Sequence, residues 1–133
     1  MENVEEIRDG AQTLVYIIRA AVDSASTTFV TQPSANLQVG FVVYPRGGEI
    51  APHVHLPLPR TTTGTAEFLL VKKGRCLIDV YDSEKHLVAT RELHTGDVML
   101  MLAGGHAFRM LDDTVLLEVK QGPYTGLQEK ERF

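Results

Sequence analysis

Along most of this chain apolar and polar residues alternate in short runs, the period of strands with one buried face, not of helices. The run 13–20, Thr-Leu-Val-Tyr-Ile-Ile-Arg-Ala, is rich in β-branched and aromatic residues and predicts a first strand. A short strand within 24–31 precedes the turn Gln32-Pro33-Ser34, and 37–44 predicts a further strand closed by Pro45-Arg46-Gly47-Gly48. Another extended run follows around His53 and His55. Segment 56–65 holds two prolines and a glycine and predicts a loop. Beyond it, 67–71 and 75–81 flank Lys72-Lys73-Gly74, which reads as a hairpin. Further strands are predicted over 86–93, 98–102, 107–111 and 115–120, with turns at 82–85, 94–97 and 112–114. The run 98–102 is apolar on both faces and should be covered on both. Residues 1–12 are polar and acidic, an arm or a short helical turn, and 121–133 form a charged tail. Strands at such short intervals, divided by glycine-rich turns, predict one all-β domain, a barrel or a sandwich.

Composition narrows the function classes. The chain has 133 residues, 44% apolar and 23% charged, the profile of an ordinary globular domain. Its net charge of −4 and the lack of any nucleic-acid-binding signature argue against DNA or RNA as partner. No apolar run reaches the roughly 20 residues that span a bilayer. Residues 1–6 lack the basic start and apolar core of a signal peptide. The single cysteine, Cys76, can form no intrachain disulfide and is expected to be a small buried hydrophobe. A reducing, cytoplasmic setting is the expectation.

The chemistry concentrates in four residues. His53 and His55 are one residue apart, so on an extended segment both imidazoles point the same way. Histidine is the commonest metal ligand. Glu67 would share the inward face of its strand with Leu69 and Val71, where a carboxylate needs a proton, a cation or a metal to offset burial. His106 follows the Gly104-Gly105 turn at the start of a strand. Together they offer three nitrogens and one oxygen, a set that suits zinc, iron, manganese, nickel or copper. His86 and His94 sit in or beside turns and are expected to be exposed and not ligands. Asp97 reads as a turn residue. Arg60 in the loop, and Lys120 and Tyr124 at the end of the last strand, are candidates for binding an anionic or hydroxylated substrate; ordinary solvated or packing roles remain open for all three.

The spacing resembles that of the cupins, whose two motifs are G-x5-H-x-H-x3/4-E-x6-G and G-x5-P-x-G-x2-H-x3-N. Gly47, His53 and His55 match the opening of the first motif, and Glu67 with Gly74 matches its close. Gly96 opens the second motif and His106 supplies its histidine. The chain departs from the pattern in four places. Eleven residues separate His55 from Glu67, Leu102 stands in place of the proline, the Gly104–His106 spacing is one short, and Met110 replaces the asparagine. The run from Leu116 to Tyr124 is similar to the end of small stand-alone cupins of the WbuC type, which are associated with surface-polysaccharide pathways.

The resemblance implies a double-stranded β-helix, or jelly-roll barrel, with one divalent metal inside it held by His53, His55, Glu67 and His106. It also implies a homodimer paired through a sheet or a swapped N-terminal strand. Three functions stay open. The first is a metal-dependent isomerase or epimerase on a small oxygenated or sugar-like substrate. The others are an iron-dependent dioxygenase and a non-enzymatic module that binds a small molecule or sugar.

Overall fold

In a computed structural model describing residues 1–133, all regular structure is β. The strands are β1 (Val4–Asp9), β2 (Gln12–Ile18), β3 (Thr28–Phe29), β4 (Gly40–Phe41) and β5 (Glu67–Lys73). They continue with β6 (Arg75–Tyr81), β7 (Leu87–His94), β8 (Val98–Met101), β9 (Gly105–Met110) and β10 (Val115–Lys120). Every pairing is antiparallel. One sheet runs β1-β2-β8-β5-β10, a second β7-β6-β9, and β3 with β4 makes a small ribbon. No helix is long and apolar enough to cross a membrane.

Alternation explains how the two larger sheets share a core. On β5, Leu69 and Val71 are buried while Phe68 and Leu70 are only partly covered. On β6 the residues Cys76, Ile78 and Val80 are fully buried, and β8 contributes Met99 and Met101. These side chains, with Ile7, Leu14, Val15, Ile17 and Leu93, form one apolar cluster drawn from both sheets. A sandwich filled from its two inner faces is the result. Burial also pushes the Cys76 thiol above its ordinary pKa, with the charge of Asp97 adding to the effect.

Four features differ from what the sequence predicts. Residues 4–9 form β1 and not an arm or helical turn, because pairing with β2 satisfies a backbone whose own side chains are mostly charged. The run through Lys72-Lys73-Gly74 is not a hairpin, since β5 and β6 lie in different sheets. Gly74 makes the crossing at φ +88°, and a Cβ there would collide with the Asp113 carbonyl oxygen. The predicted strand 37–44 is reduced to β4, and the run around His53 and His55 pairs with nothing regular. The sheets do not close into a barrel.

The two sides of the sandwich therefore differ. On one side β1 packs beside β7, and the Arg91 guanidinium grips Glu5 Oε1 through Nε at 2.8 Å and Nη2 at 2.6 Å. On the other side β10 and β9 end their sheets with no further strand. Between β4 and β5, every residue from 42 to 64 is exposed.

Candidate functional site

Glu67 opens β5 and sits on its inward face, 5% exposed, in line with Leu69 and Val71. His106, the second residue of β9, is opposite Val80 of β6, as Phe108 is opposite Ile78, so its ring also faces inward. The two side chains thus come from different sheets and meet across the sandwich. His106 Nε2 lies 3.2 Å from Glu67 Oε2. Met101, directly opposite Glu67 on β8, brings its thioether sulfur against His106 Nδ1. Placement follows from the pleat of β5 and from the turn before β9, where Gly104 has φ +74° and a Cβ would strike the Tyr81 carbonyl oxygen.

The hydrogen bond from His106 holds the Glu67 carboxyl below its ordinary pKa of 4.5. Burial opposes this, and the charges of His106, Lys130 and Lys120 reinforce it. The pair borders a cavity of about 600 Å³ walled by Tyr81, Met101, Lys120 and tail residues 129–133. Lys120 is directly opposite Glu67 in the β10–β5 ladder. Phe133 closes against Tyr81 with ring centroids 4.9 Å apart, and Lys85 Nζ holds Glu131 Oε2 at 3.2 Å. A second cavity of about 310 Å³, beside Tyr16, Gln32 and Ser34, contains no carboxylate, imidazole or cation.

The sequence-predicted residues separate into two groups. Glu67, His106 and Lys120 come together at one cavity. His53, His55 and Arg60 lie on the exposed segment, and Tyr124 is 89% exposed on the tail. His53 and His55 do keep company, with ring centroids 5.3 Å apart, and His53 Nδ1 meets the Ala51 carbonyl oxygen at 2.9 Å. His86 and His94 are exposed, and Asp97 is a buried turn residue. The cations Lys130 and Arg132 in the cavity wall were not foreseen; only the density of charge in the tail hints at them.

Do these residues fit a metal? Two ligand atoms about 2.1 Å from one ion, at angles of about 90–110°, lie about 3.0–3.4 Å from each other. The Glu67–His106 separation of 3.2 Å falls inside that interval, and also matches a long hydrogen bond. Two protein donors are too few to retain a transition ion, and no three histidine, cysteine, aspartate or glutamate side chains gather in the chain as folded. His53 and His55 stand on the exposed segment and do not join the pair, so the residues gathered here do not by themselves make a metal site. In comparison with known proteins, no family model, no curated protein and no solved structure matches this chain.

Proposed function

We propose that the chain is a metal-dependent protein of the cupin type, acting as an isomerase or epimerase on a small oxygenated or sugar-like substrate. The observation that carries this reading is the inward Glu67–His106 pair, one donor from each sheet, 3.2 Å apart beside a cavity of about 600 Å³. Glu67 and His106 are then the preset half of the centre. His53 and His55, carried on the exposed segment, would have to supply the other half. A divalent zinc, iron, manganese or nickel ion held there would polarise a substrate carbonyl or hydroxyl oxygen.

The remaining roles belong to side chains of the cavity. The hydrogen bond from His106 holds the Glu67 carboxyl below its ordinary pKa, and Glu67 would be the oxygen donor of the set. Lys120 and Lys130, which act on the Glu67 charge, and Arg132 beside them would orient an anionic or polyhydroxylated substrate. Met101, Tyr81 and Phe133 supply the apolar part of a wall that is otherwise mostly polar and charged. A cytoplasmic setting is part of the proposal, and the unpaired, buried Cys76 thiol is compatible with it.

Metal per chain, measured by elemental analysis on the wild type and on His106→Ala, tests the reading. The expected result is about one divalent ion per chain in the reconstituted wild type and a loss of at least about tenfold in affinity in the variant. Proton exchange at the carbon beside a sugar carbonyl, followed in heavy water, then identifies the isomerase step. Oxygen uptake by the ferrous protein would move the assignment to a dioxygenase. A wild type that takes up none of the four metals overturns the proposal and leaves the small-molecule-binding module.

A further inference from the structure

No helix packs on the five-stranded sheet, yet the centre of its outer face is covered. Tyr16 on β2, Leu100 on β8 and Phe68 on β5 stand opposite one another along the ladder. They face away from the core to which Ile17, Met99 and Leu69 belong. Leu100 is fully buried and Tyr16 is 5% exposed. The cavity of about 310 Å³ lies against this face. Tyr16, Ala66 and Leu102 line it from the sheet, and Gln32, Ser34 and Asn36 line it from the β3–β4 connection.

A tyrosine this deeply buried normally gives its hydroxyl a hydrogen-bond partner. The Tyr16 hydroxyl has none within the chain. It is not sealed among apolar atoms either, because every side-chain nitrogen or oxygen withdrawn from solvent has a partner. Its oxygen therefore reaches an opening, and the cavity its side chain lines is that opening. Around it Gln12, Gln32, Ser34, Asn36, Thr63 and Thr65 offer amides and hydroxyls that are not spent on hydrogen bonds within the chain. Glu6, which accepts a hydrogen bond from the lining residue Thr13, is already paired with Arg8 Nη1 at 2.6 Å.

The wall on the β3–β4 side is fixed by one side chain. Gln38 Nε2 donates to the main-chain carbonyl oxygens of Gln32 and Ala35 at 2.9 and 2.8 Å. Gln38 Oε1 accepts from the buried Thr31 hydroxyl at 2.7 Å. The main chain is thus held while the side chains of Gln32, Ser34 and Asn36 stay available, without the ordering cost that a mobile loop would incur on binding.

We propose that this cavity binds an uncharged sugar ring, at a site distinct from the Glu67–His106 pair. Amides and hydroxyls donate and accept, which matches a ring of hydroxyl groups that also do both. The Tyr16 ring, Ala66 and Leu102 supply an apolar floor for the C–H face of such a ring. An anion finds no cation here and a cation no carboxylate, so a charged ligand would lose its hydration without compensation. The volume is at the low end for small-molecule sites and suits one ring, not a chain of them. Ala66 and Glu67 are consecutive and point to opposite faces of the sheet, so the two sites lie back to back, with Thr65 bordering both. The sugar site stands whether or not Glu67 and His106 hold a metal.

The test is binding of D-glucose, D-galactose and D-mannose to the chain without added metal, read by saturation-transfer NMR and titration. Glucuronate and glucose 6-phosphate serve as charged counterparts. At least one neutral hexose is expected to bind, at least about tenfold more tightly than either charged sugar. Ala35→Phe, which puts a ring into the cavity from a half-buried position, is expected to abolish binding. Tyr16→Phe removes only the hydroxyl, so affinity should fall about fivefold, the worth of one neutral hydrogen bond. Its urea midpoint should stay that of the wild type, because the hydroxyl has no partner within the chain to lose. His106→Ala should bind the sugar as the wild type does. Absence of binding by all three hexoses, or tighter binding of the charged sugars, overturns the proposal. So does binding that either Ala35→Phe or Tyr16→Phe leaves at the wild-type level. Loss of binding in His106→Ala would move the sugar to the other cavity and overturn it too. A lowered urea midpoint in Tyr16→Phe would show the hydroxyl bonded within the chain and remove the ground of the site.

Discussion

The two sides of the sandwich are built from the same kind of strand, and they are finished differently. Where β1 meets β7, the outermost strands carry Glu5, Glu6, Arg8 and Arg91, and an Arg91–Glu5 pair spans the gap between sheets. Where β10 and β9 end, the strands present Leu117, Val119 and Met110 to solvent. Charged edges repel further strands, and apolar edges invite them. The difference is one of degree: β1 is charged along most of its length, β10 alternates exposed Leu117 and Val119 with Glu118 and Lys120, and β7 exposes Leu87 and Val88 at its start. The metal-ligating candidates lie at the unfinished side.

Limited proteolysis is the strongest probe of that contrast. Arg46 and Arg60 are exposed in the segment without secondary structure, whereas Arg91 is held in β7. Cleavage by trypsin in dilute protein is expected at Arg46 and Arg60 at least about 100-fold faster than at Arg91, since opening a core strand costs far more than opening a loop. Comparable rates would mean that the segment is as well packed as β7. Zinc saturation is expected to slow the cuts at Arg46 and Arg60 and leave Arg91 unaffected.

Truncations on the two kinds of surface come next. Ile78 is fully buried in the shared core, and Ile78→Ala should lower the urea-unfolding free energy by about 2–5 kcal/mol. Leu117→Ala on β10 should change it by less than about 0.5 kcal/mol in protein diluted to monomer. Equal losses would show that the β10 edge is already covered within one chain.

A smaller effect concerns Asp97, which ties the β7–β8 turn to the end of β2. Burial alone would raise its pKa. Hydrogen bonds from the His94 and Ala20 main-chain N–H groups and from Arg19 Nη1, each 2.9 Å, together with the Arg19 charge, hold it below the ordinary 3.8. A carboxyl depressed in the folded state stabilises above its unfolded pKa, and that contribution is lost as pH falls through the folded value. Asp97→Asn should therefore cost about 1–3 kcal/mol at neutral pH, with the difference from wild type shrinking below pH 4. A penalty that persists at low pH would assign Asp97 a purely steric role.

Much of the sandwich is legible in the sequence, and the reason is local. β2 and β5 to β10 alternate or run apolar because their inner faces meet a core within the same chain. β1 is missed because Glu5, Glu6, Arg8 and Asp9 hide a strand whose reason for existing is its partner, β2. The crossing at Gly74 is missed because a sharp glycine turn looks the same whether the next strand returns to its sheet or leaves it. At the site, Glu67 is readable from Leu69 and Val71 on its own face, and His106 from the glycine turn before it. Runs 37–44 and that around His53 and His55 also read as strands, but only the centre of the first finds a partner, pairing with β3, and the second pairs with nothing regular.

The Glu67–His106 contact joins side chains rooted in opposite sheets, so it works as a caliper set across the sandwich. Sheets of this kind stack about 10 Å apart, at a spacing fixed by the side chains between them. Trimming a methyl group from Ile17 or Leu93, buried core residues paired with neither Glu67 nor His106, would let the sheets settle closer and alter the gap between imidazole and carboxylate. The core is therefore under a tolerance set by the site, tighter than stability alone would impose.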